Sequence, residues 1–590
     1  MPSPNRVLNI GHLRRGPARC NRRAFLRGVA ALGFSSLALR GAPRTWAATD
    51  PPTALGPPAS RWLAAAARAF DGLLARIDLE AGGRPYFLLD LEAEVPALVH
   101  GYWDAVDMAG RSVDALLRLR PLLATEQGKE AELLLRQYLL GRQGSDGLFY
   151  NAPDRDPAEE VVDTFCQGRA LLGLTTWLAH TGDAVVEASI EACVRGLAAI
   201  AVRDGEYAYL PGQRWREGWL DQSLLAAGAL DGRDNFGYSA QCALPLLEYH
   251  ALTGSPAALD LAGRLLRHFV ERSGQVDGDG HFAGETHASG YLPLACAAVR
   301  YAAATGDEGY LRWAERLYRW VLANSSQFGW VPGPLGLGET YFRAWYGAPP
   351  RRTCETCSLA DTIELALLLA RAGYTDCWDD VDRFARNQLL ENQFGALARG
   401  RDLPLPDDPT VAVALAGAWE SFALPYRLLA RPDDRRLVEG CCSASGARAL
   451  SRVWEHTLDY AADTLTIHLG LSRSSPWADV YSHEPQRGQL DIVLHVPLAL
   501  RLRPPRWAPP DGLTLLLDEV PLPLEWDGDY LTVAQAPAGA CLSLRYPLLD
   551  RQEGFAVNAE TTLAFWRGGT VLDVLPDSGP VPIYRRDRLA

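Results

Sequence analysis

Residues 351–359 read RRTCETCSL, and residues 441–442 add a pair of adjacent cysteines. The two clusters contain five possible metal ligands, which are Cys354, Glu355, Cys357, Cys441 and Cys442. Ligand sets rich in sulfur favour a tetrahedral zinc ion, which needs no redox partner. The alternatives are a disulfide or cysteines buried as small apolar residues, but four cysteines grouped at two points favour a metal. The sequence therefore predicts a zinc site.

The first 48 residues resemble an export signal. Residues 21–27 read NRRAFLR, a twin-arginine motif, which is followed by a modestly apolar run over 28–39 and by the small pair Ala47-Ala48. The apolar run is too short to span a membrane, so we predict a twin-arginine signal at 1–48 that is cleaved on export. The mature protein is then expected to be periplasmic or secreted. Because this route exports folded proteins, the metal could be bound before the cysteines meet an oxidising compartment.

Charge excludes two classes of partner. Residues 1–48 carry nine arginines and no acidic residue, so their removal changes the formal net charge from −13 to −22. Such an acidic surface repels phosphate backbones and anionic lipids, so we expect neither nucleic-acid binding nor stable membrane association. The sequence makes no prediction of oligomeric state.

Helical periodicity dominates the chain up to about residue 460. Three stretches, HTGD at 180–183, LTGS at 252–255 and ATGD at 304–307, each place a glycine helix stop before an Asp or Ser helix cap. These tight turns pair the helices as hairpins, which predicts a toroidal (α/α)6 barrel over 49–460, with an open solenoid as the alternative. The predicted helices lie near 59–77, 104–121, 128–143, 163–182, 184–206, 235–254, 255–274, 285–306, 307–326, 353–373, 377–394 and 440–458.

The hairpin turns also predict where an active site would lie. Helices that end at the tight turns run in one direction, so their N-termini lie together at the end of the barrel opposite the turns, which we call the mouth. Polar and sulfur-containing residues start four of these helices, at 163–166, 285–287, 354–357 and 440–442. Helix dipoles at such a mouth would favour thiolate over thiol.

Residues 461–590 have a different pattern. Apolar residues alternate over 465–471, 490–502 and 513–517, and turn signals such as WDGD at 526–529 separate them. Alternation with a period of two predicts an antiparallel β-sandwich.

Several motifs resemble those of the β-L-arabinofuranosidases, glycoside hydrolase family 127. They are Gly338-Glu339, Glu355-Thr356-Cys357 sixteen residues after Glu339, the pair Cys441-Cys442, and Thr286-His287-Ala288. The stretch LRLRP at 500–504, followed by Trp507-Ala508, is similar to the family's sandwich motif. The resemblance covers most of the mature sequence. It implies a six-hairpin α/α barrel followed by a β-sandwich, in agreement with the helix count.

The resemblance also implies roles for individual residues. Zinc would be bound by Glu355, Cys357, Cys441 and Cys442, with Cys441 as nucleophile and Glu339 as general acid/base. The reaction would be a retaining hydrolysis that releases β-L-arabinofuranose or a related sugar. His287 would contact a sugar hydroxyl. The partner that the resemblance implies is a small-molecule or glycan substrate.

Asp107 and Arg169 are two further candidates for substrate binding. Asp107, like Asp104, could contact sugar hydroxyls or simply cap a helix. Arg169 stands where the family usually has histidine, and an arginine at the mouth could favour an acidic sugar. Tyr238-Ser239 replaces the family's Gly-His, and Ser443 follows the paired cysteines in place of proline. These departures bear on the identity of the sugar more than on the chemistry.

Two other functions remain open at this level. Cys354 could replace Glu355, which would give a closed four-cysteine zinc of the structural type in a carbohydrate-binding barrel. A sugar epimerase or lyase could use the same barrel, although only His287 is an obvious base. Glu355 and Cys357 are two residues apart and can face one site only if the chain is still extended at Glu355.

Overall fold

The computed structural model describes residues 61–101, 105–151, 161–210, 214–215, 240–283, 286–335, 352–395, 406–558, 560–576, 578–579 and 581–584. The predicted export signal lies outside these residues, as do Asp104, Tyr238-Ser239 and Glu339.

All twelve predicted helical segments contain a helix. One further helix, α12, was not predicted, because its almost uniformly apolar sequence PTVAVALAG carries no amphipathic pattern. The α-helices within the described residues are α1 Arg61–Ala75, α2 Asp107–Leu123, α3 Lys129–Gly141, α4 Thr164–Thr181, α5 Ala184–Ile200, α6 Ala243–Thr253, α7 Pro256–Glu271, α8 Ala288–Thr305, α9 Glu308–Ala323, α10 Thr356–Arg371, α11 Cys377–Phe384, α12 Pro409–Gly417 and α13 Gly440–Glu455. A π-helical turn, Ala385–Leu389, continues α11.

Six of the helices contact one another in cyclic order. Helix α2 packs against α4, and the series continues through α6, α8, α10 and α13, which returns to α2. The helices α3, α5, α7, α9 and α11 each pack on the member of the series that precedes them, and α1 packs on both α13 and α2. The helical part is therefore built from antiparallel pairs whose inner members line a common interior.

Three helical hairpins share the predicted tight turn. A glycine ends the first helix with φ between +66° and +77°, and the side chain of the next residue accepts hydrogen bonds from the first turn of the second helix. The left-handed conformation suits glycine because it has no Cβ. The three pairs are Gly182-Asp183, Gly254-Ser255 and Gly306-Asp307.

Short strands border the helical part, and three of them run directly into helices. Strand β6 leads into α4, β10 into α8 and β12 into α13, so their ends fix where these helices begin. The strands are β1 Ile77–Asp78, β2 Arg84–Pro85, β3 Leu88–Asp90, β4 Ala97–Val99, β5 Tyr150–Asn151, β6 Val161–Asp163, β7 Val202–Asp204, β8 Tyr207–Tyr209, β9 Arg214–Trp215, β10 Thr286–His287, β11 Pro334–Leu335 and β12 Leu437–Glu439.

Two sheets follow α13 and share one hydrophobic core between Leu458 and Tyr546. Their strand pairs are antiparallel except for β14 with β18. The first sheet contains β13 Leu458–Ala461, β14 Thr464–Ile467, β18 Leu498–Leu502, β21 Trp526–Asp527 and β22 Tyr530–Ala536. The second contains β15 Arg473–Ser474, β16 Ala478–Ser482, β17 Gln489–Leu494, β19 Thr514–Leu517, β20 Val520–Leu522 and β23 Cys541–Arg545.

The last three strands, β24 Asp550–Val557, β25 Glu560–Arg567 and β26 Thr570–Leu575, form a separate antiparallel sheet. Its buried residues, such as Trp566 and Val571, join the core of the helices. Asn387 in the π-helical turn accepts a hydrogen bond from the backbone N of Val571. Period-two patterning cannot distinguish these strands from those of the sandwich, and the boundary at 460/461 stays a prediction. Among the described helices, none has the length and apolar composition to cross a membrane.

Candidate active site

Three inner helices begin at one place in the interior of the helical part. Their N-cap residues are His287 for α8, Glu355 for α10 and Glu439 for α13, and all three have extended backbone conformations. Extended residues ahead of a helix can direct their side chains to the same place as residues in the first turn. Because Glu355 is extended and Cys357 lies in the first turn of α10, the two side chains can face one site.

The sulfurs of Cys357, Cys441 and Cys442 form one cluster, in which all lie within 4.8 Å of one another. The Sγ atoms of Cys357 and Cys442 are 3.5 Å apart. Zinc–sulfur bonds of about 2.3 Å in a tetrahedron place sulfurs about 3.8 Å apart, so the cluster has the spacing of a metal site. Cys357 and Cys442 are buried, whereas Cys441 is partly exposed. Cys441 is thus the least buried residue of the three.

The three thiols affect one another's ionisation. Hydrogen bonds from Cys441 and Cys442 lower the pKa of the Cys357 thiol well below its usual range. Burial raises the pKa of Cys442, and the contact with Cys357 raises that of Cys441. The two neighbouring thiols therefore favour ionisation of Cys357 over their own.

The carboxylate of Glu355 contacts the imidazole of His287, with Oε2 against Nε2. Burial raises the pKa of Glu355. Burial lowers the pKa of His287, but the charge and hydrogen bond of Glu355 outweigh this effect and raise it. Glu355 does not fall within the three-sulfur group, since in this conformation its carboxylate is engaged by His287.

Asp107, predicted to bind substrate, is 2% exposed and pairs with Arg111 on the next turn of α2. Arg111 Nε lies 2.7 Å from Asp107 Oδ1, and Arg111 Nη1 lies 2.9 Å from Ser445 Oγ. Ser445 Oγ is in turn 3.3 Å from Cys357 Sγ. Burial lowers the pKa of Arg111, but Asp107 and the thiols outweigh it and raise the pKa well above its usual range. Asp107 is thereby connected to the sulfurs through one cation and one hydroxyl.

Arg169 extends this network to a fourth helix. Its Nη2 donates to Gln241 Oε1 at 2.8 Å, its Nε lies 3.9 Å from Asp107 Oδ1, and its guanidinium stacks on Phe165. Burial and the neighbouring Arg111 lower its pKa. Gln241 Nε2 donates to the carbonyl of Gly290 on α8, so residues from several inner helices are joined around the sulfurs.

Comparison with known proteins identifies this arrangement. Residues 238–396 match the family model described as the GH127 catalytic domain of β-L-arabinofuranosidase. The matched stretch of this chain is similar to a GH127 catalytic domain. The protein is accordingly a glycoside hydrolase.

Solved structures agree with the GH127 match at the level of the fold. A GH127 β-L-arabinofuranosidase from Geobacillus stearothermophilus T6 is 15% identical with a TM-score of 0.54, over 86% of this chain and 80% of that one. The GH127 β-arabinofuranosidase BT3674 is 14% identical with a TM-score of 0.57, over the same 86% and 80%. No curated protein sequence matches the chain.

Cys354 does not join the cluster of Cys357, Cys441 and Cys442, which contradicts the predicted alternative of a four-cysteine site. Its backbone pairs with Ala423 through hydrogen bonds of 2.8 and 2.9 Å, and its sulfur accepts a hydrogen bond from Asn392 Nδ2 at 3.7 Å. Burial raises its thiol pKa to about 12. Neighbouring side chains of an extended segment point to opposite sides, so Cys354 faces the core while Glu355 faces the site.

Sequence reasoning missed several residues of the GH127 site. Arg111 follows Asp107 by four residues, Ser445 follows Cys441 by four, and Asp361 follows Cys357 by four, so a helical-turn rule could have found them. Asp361, Arg111, Arg169 and Ser445 line a cavity of about 30 Å³ next to the sulfurs. Such a cavity has room for about one or two water molecules. Burial raises the pKa of Asp361 to about 7.

Glu439 is a further residue that the sequence did not suggest. Its Oε2 lies 3.8 Å from the sulfur of Cys441, and its Oε1 accepts a hydrogen bond from Arg431 Nη1 at 2.7 Å. Glu439 precedes Cys441 by two residues, the same spacing as Glu355 and Cys357, so this spacing is the signal that could have suggested it. Only the pairing of β12 with β3, which holds Glu439 extended ahead of α13, brings its carboxylate beside the sulfurs.

Proposed function

We propose that this protein is an exported, retaining glycoside hydrolase that releases β-L-arabinofuranose or a related sugar, with Cys441 as nucleophile and Glu339 as general acid/base. The observation that carries the proposal is the cluster of three cysteine sulfurs at a helix N-terminus, in which Cys441 is the one partly exposed residue. The GH127 match supports the reaction class. The proposed signal at 1–48 and the proposed (α/α)6 toroid at 49–460 belong to the same account, and the cyclic helix contacts support the toroid.

The donor set fits zinc, which we propose is held by Glu355, Cys357, Cys441 and Cys442. Three sulfurs at tetrahedral spacing and a carboxylate are ligands that zinc prefers. A bound zinc ion would keep the thiols deprotonated at neutral pH and so supply an anionic sulfur. His287 holds the Glu355 carboxylate, as a hydrogen-bonding partner of a metal ligand commonly does.

The reaction then needs two displacements. In the first, the Cys441 thiolate attacks the anomeric carbon while Glu339 gives its proton to the departing oxygen. In the second, Glu339 takes a proton from water, which attacks the same carbon and releases the sugar and the Cys441 thiolate. Two inversions give net retention of configuration. Arg111 and Ser445 would hold the neighbouring Cys357 sulfur in place during both steps.

The substrate shell is proposed to include His287, Arg169 and Asp107. His287 has a partly exposed imidazole next to the Ser289 hydroxyl, 3.2 Å from its Nε2. Arg169 is 11% exposed and retains a buried Nε without a hydrogen bond. Asp107 would act through Arg111, since its own carboxylate is 2% exposed.

Hydrolysis of p-nitrophenyl β-L-arabinofuranoside tests the proposal. We expect activity in the wild type and a loss of at least about a thousandfold in kcat/KM for Cys441→Ser. Cys541→Ser is the matched control, because Cys541 is a partly exposed cysteine in β23, outside the three-sulfur group. Full activity in Cys441→Ser would remove Cys441 from the mechanism.

A further inference from the structure

Glu439 is held rigidly from several directions. Its backbone pairs with Leu88 in the sheet of β12 and β3, and its N donates to Ser421 Oγ at 3.3 Å. One carboxylate oxygen, Oε1, is bound by Arg431. Its side chain is 15% exposed, so the carboxylate is largely removed from water.

Arg431 is fixed as firmly as the carboxylate it binds. Its guanidinium is 6% exposed, its Nε lies 2.9 and 3.1 Å from the two carboxylate oxygens of Asp433, and it stacks on the ring of Phe422. Carboxylates that ligate metals are commonly oriented by a hydrogen bond to one oxygen, which leaves the other oxygen for the ion. Glu439 has this arrangement, with Oε2 directed to the sulfur of Cys441.

Glu439, like Glu355, lies outside the group of three sulfurs, but the distance from its Oε2 to Cys441 Sγ is close to that of two ligands sharing an ion. Zinc–oxygen bonds of about 2.0–2.2 Å and zinc–sulfur bonds of about 2.3 Å, at a tetrahedral angle, place oxygen and sulfur about 3.5 Å apart. The observed separation is 3.8 Å. Without a cation, the Cys441 thiol donates a hydrogen bond to this carboxylate oxygen, and a metal ion that displaces the thiol proton would occupy the place of that hydrogen bond. Arg431 binds the other carboxylate oxygen, Oε1, and leaves Oε2 facing Cys441.

We propose that Glu439 is a second carboxylate ligand of the metal ion in the cysteine cluster, and that it holds the ion when the Cys441 sulfur is bonded to a sugar. This inference rests on the proposed function. Catalytic zinc sites keep an exchangeable position and can expand from four to five ligands. Glu439 stands beside the one sulfur that must give up its negative charge in the reaction, and so it offers a replacement anion at that position.

Zinc affinity, measured by competition with a chelating dye, tests this inference without an activity assay. Cys441→Ala imitates a sulfur withdrawn from the ion. We expect this variant to bind one zinc ion per chain with an affinity reduced by about 10–100-fold, and the double variant Cys441→Ala/Glu439→Gln to lose about a further 10–100-fold. Glu439→Gln alone should change the affinity by less than about threefold, since Cys441 still binds the ion.

Two further double variants keep the test decisive. Cys441→Ala/Glu92→Gln is the matched control, because Glu92 is a more exposed carboxylate that also pairs with an arginine, and it should bind zinc as Cys441→Ala does. Cys441→Ala/Glu439→Asp retains a carboxylate and should recover part of the affinity, which a merely structural role of Glu439 would not predict. Equal affinities of Cys441→Ala with and without Glu439→Gln would overturn the inference.

The same measurement separates this inference from the proposed function. Wild-type protein that binds zinc but hydrolyses no furanoside contradicts the proposed activity, while the affinities of the double variants still decide the role of Glu439. Wild-type protein that binds no zinc contradicts both the metal site and the role of Glu439 in it.

Discussion

The imidazole Nε2 of His287 lies against the carboxylate Oε2 of Glu355, so the N-caps of two inner helices that are 68 residues apart in sequence meet at the edge of the sulfur cluster. From the sequence, His287 was predicted to contact a sugar hydroxyl and Glu355 to bind the metal. The contact between them joins the predicted sugar-binding residue to the predicted metal ligand. His287 is thereby placed to orient a metal ligand as well as to face a substrate.

Removal of the imidazole should therefore weaken metal binding. We expect His287→Ala to lower zinc affinity by about 10–100-fold, because the Glu355 carboxylate loses the partner that orients it. His287→Gln, which can still donate a hydrogen bond, should lose less. Zinc content after dialysis against a chelator measures the effect, and His495→Ala is the control, because His495 pairs with Asp479 in the sandwich and belongs to neither candidate metal group of the described residues. Unchanged affinity in His287→Ala would mean that the contact does not support the metal site.

The two cysteines of the CETC stretch should behave in opposite ways. Cys357→Ser should lose bound zinc, because the variant removes one of three clustered sulfurs. Cys354→Ser should retain zinc and lower the melting temperature, because a hydroxyl in that buried position costs about 1–3 kcal/mol. Elemental analysis measures the zinc bound to each variant. Zinc lost from Cys354→Ser with the fold intact would favour the four-cysteine site.

Asp107 provides a test of positioning against direct substrate contact. Asp107→Asn removes the charge that holds Arg111, which in turn holds Ser445 beside Cys357. We expect kcat to fall about tenfold or more with little change in KM, since the buried carboxylate does not reach the substrate. Steady-state kinetics on the arabinofuranoside measure both values. A rise in KM with kcat unchanged would instead support a direct sugar contact.

Asp361 should make stability depend on pH. Burial raises its pKa to about 7 in the folded protein from an ordinary value of 3.8. Between about pH 4 and pH 7, the folded state then binds more protons than the unfolded state. The free energy of unfolding therefore has its full contribution from protonated Asp361 below about pH 4. That contribution is lost as the pH rises to about 7. Asp361→Asn removes this loss.

Thermal melting of wild type and Asp361→Asn across pH measures this effect. We expect the melting temperature of the variant, relative to wild type, to rise by about 2–4 °C between pH 4 and pH 8. Asp511→Asn, in the exposed turn Pro510–Gly512, is the control for the substitution itself. A difference that is constant with pH would contradict a raised pKa for Asp361.

Local rules made the helices predictable. Gly182 and Asp183 end one helix and cap the next through their own backbone and side-chain preferences, so the hairpin can be read before any tertiary contact is known. Helix α12 was not predicted, and the strands β24–β26 were not distinguished from the sandwich, because local preferences do not decide either feature. Their positions depend on packing against α1 and on the contact between Asn387 and Val571, which leave no local pattern in the sequence.

The residues of the candidate site were also predictable only in part. Spacing and resemblance identified Cys357, Cys441 and Cys442 before their sulfurs were seen together. They did not decide between Cys354 and Glu355, because the choice depends on an extended backbone at the start of α10. Nor did they suggest Glu439, whose carboxylate reaches Cys441 only because β12 pairs with β3.

The central claim is that the Cys441 sulfur forms a covalent bond with the sugar. Glu339→Gln should slow the second displacement more than the first on p-nitrophenyl β-L-arabinofuranoside, because p-nitrophenolate leaves without a proton and water still needs a base. Acid quenching of that reaction, followed by peptide mass spectrometry, should find one pentosyl group on the peptide that contains Cys441 and none when Cys441 is replaced by Ser. Release of p-nitrophenol with the pentosyl group on a different residue, or on none, would contradict the account.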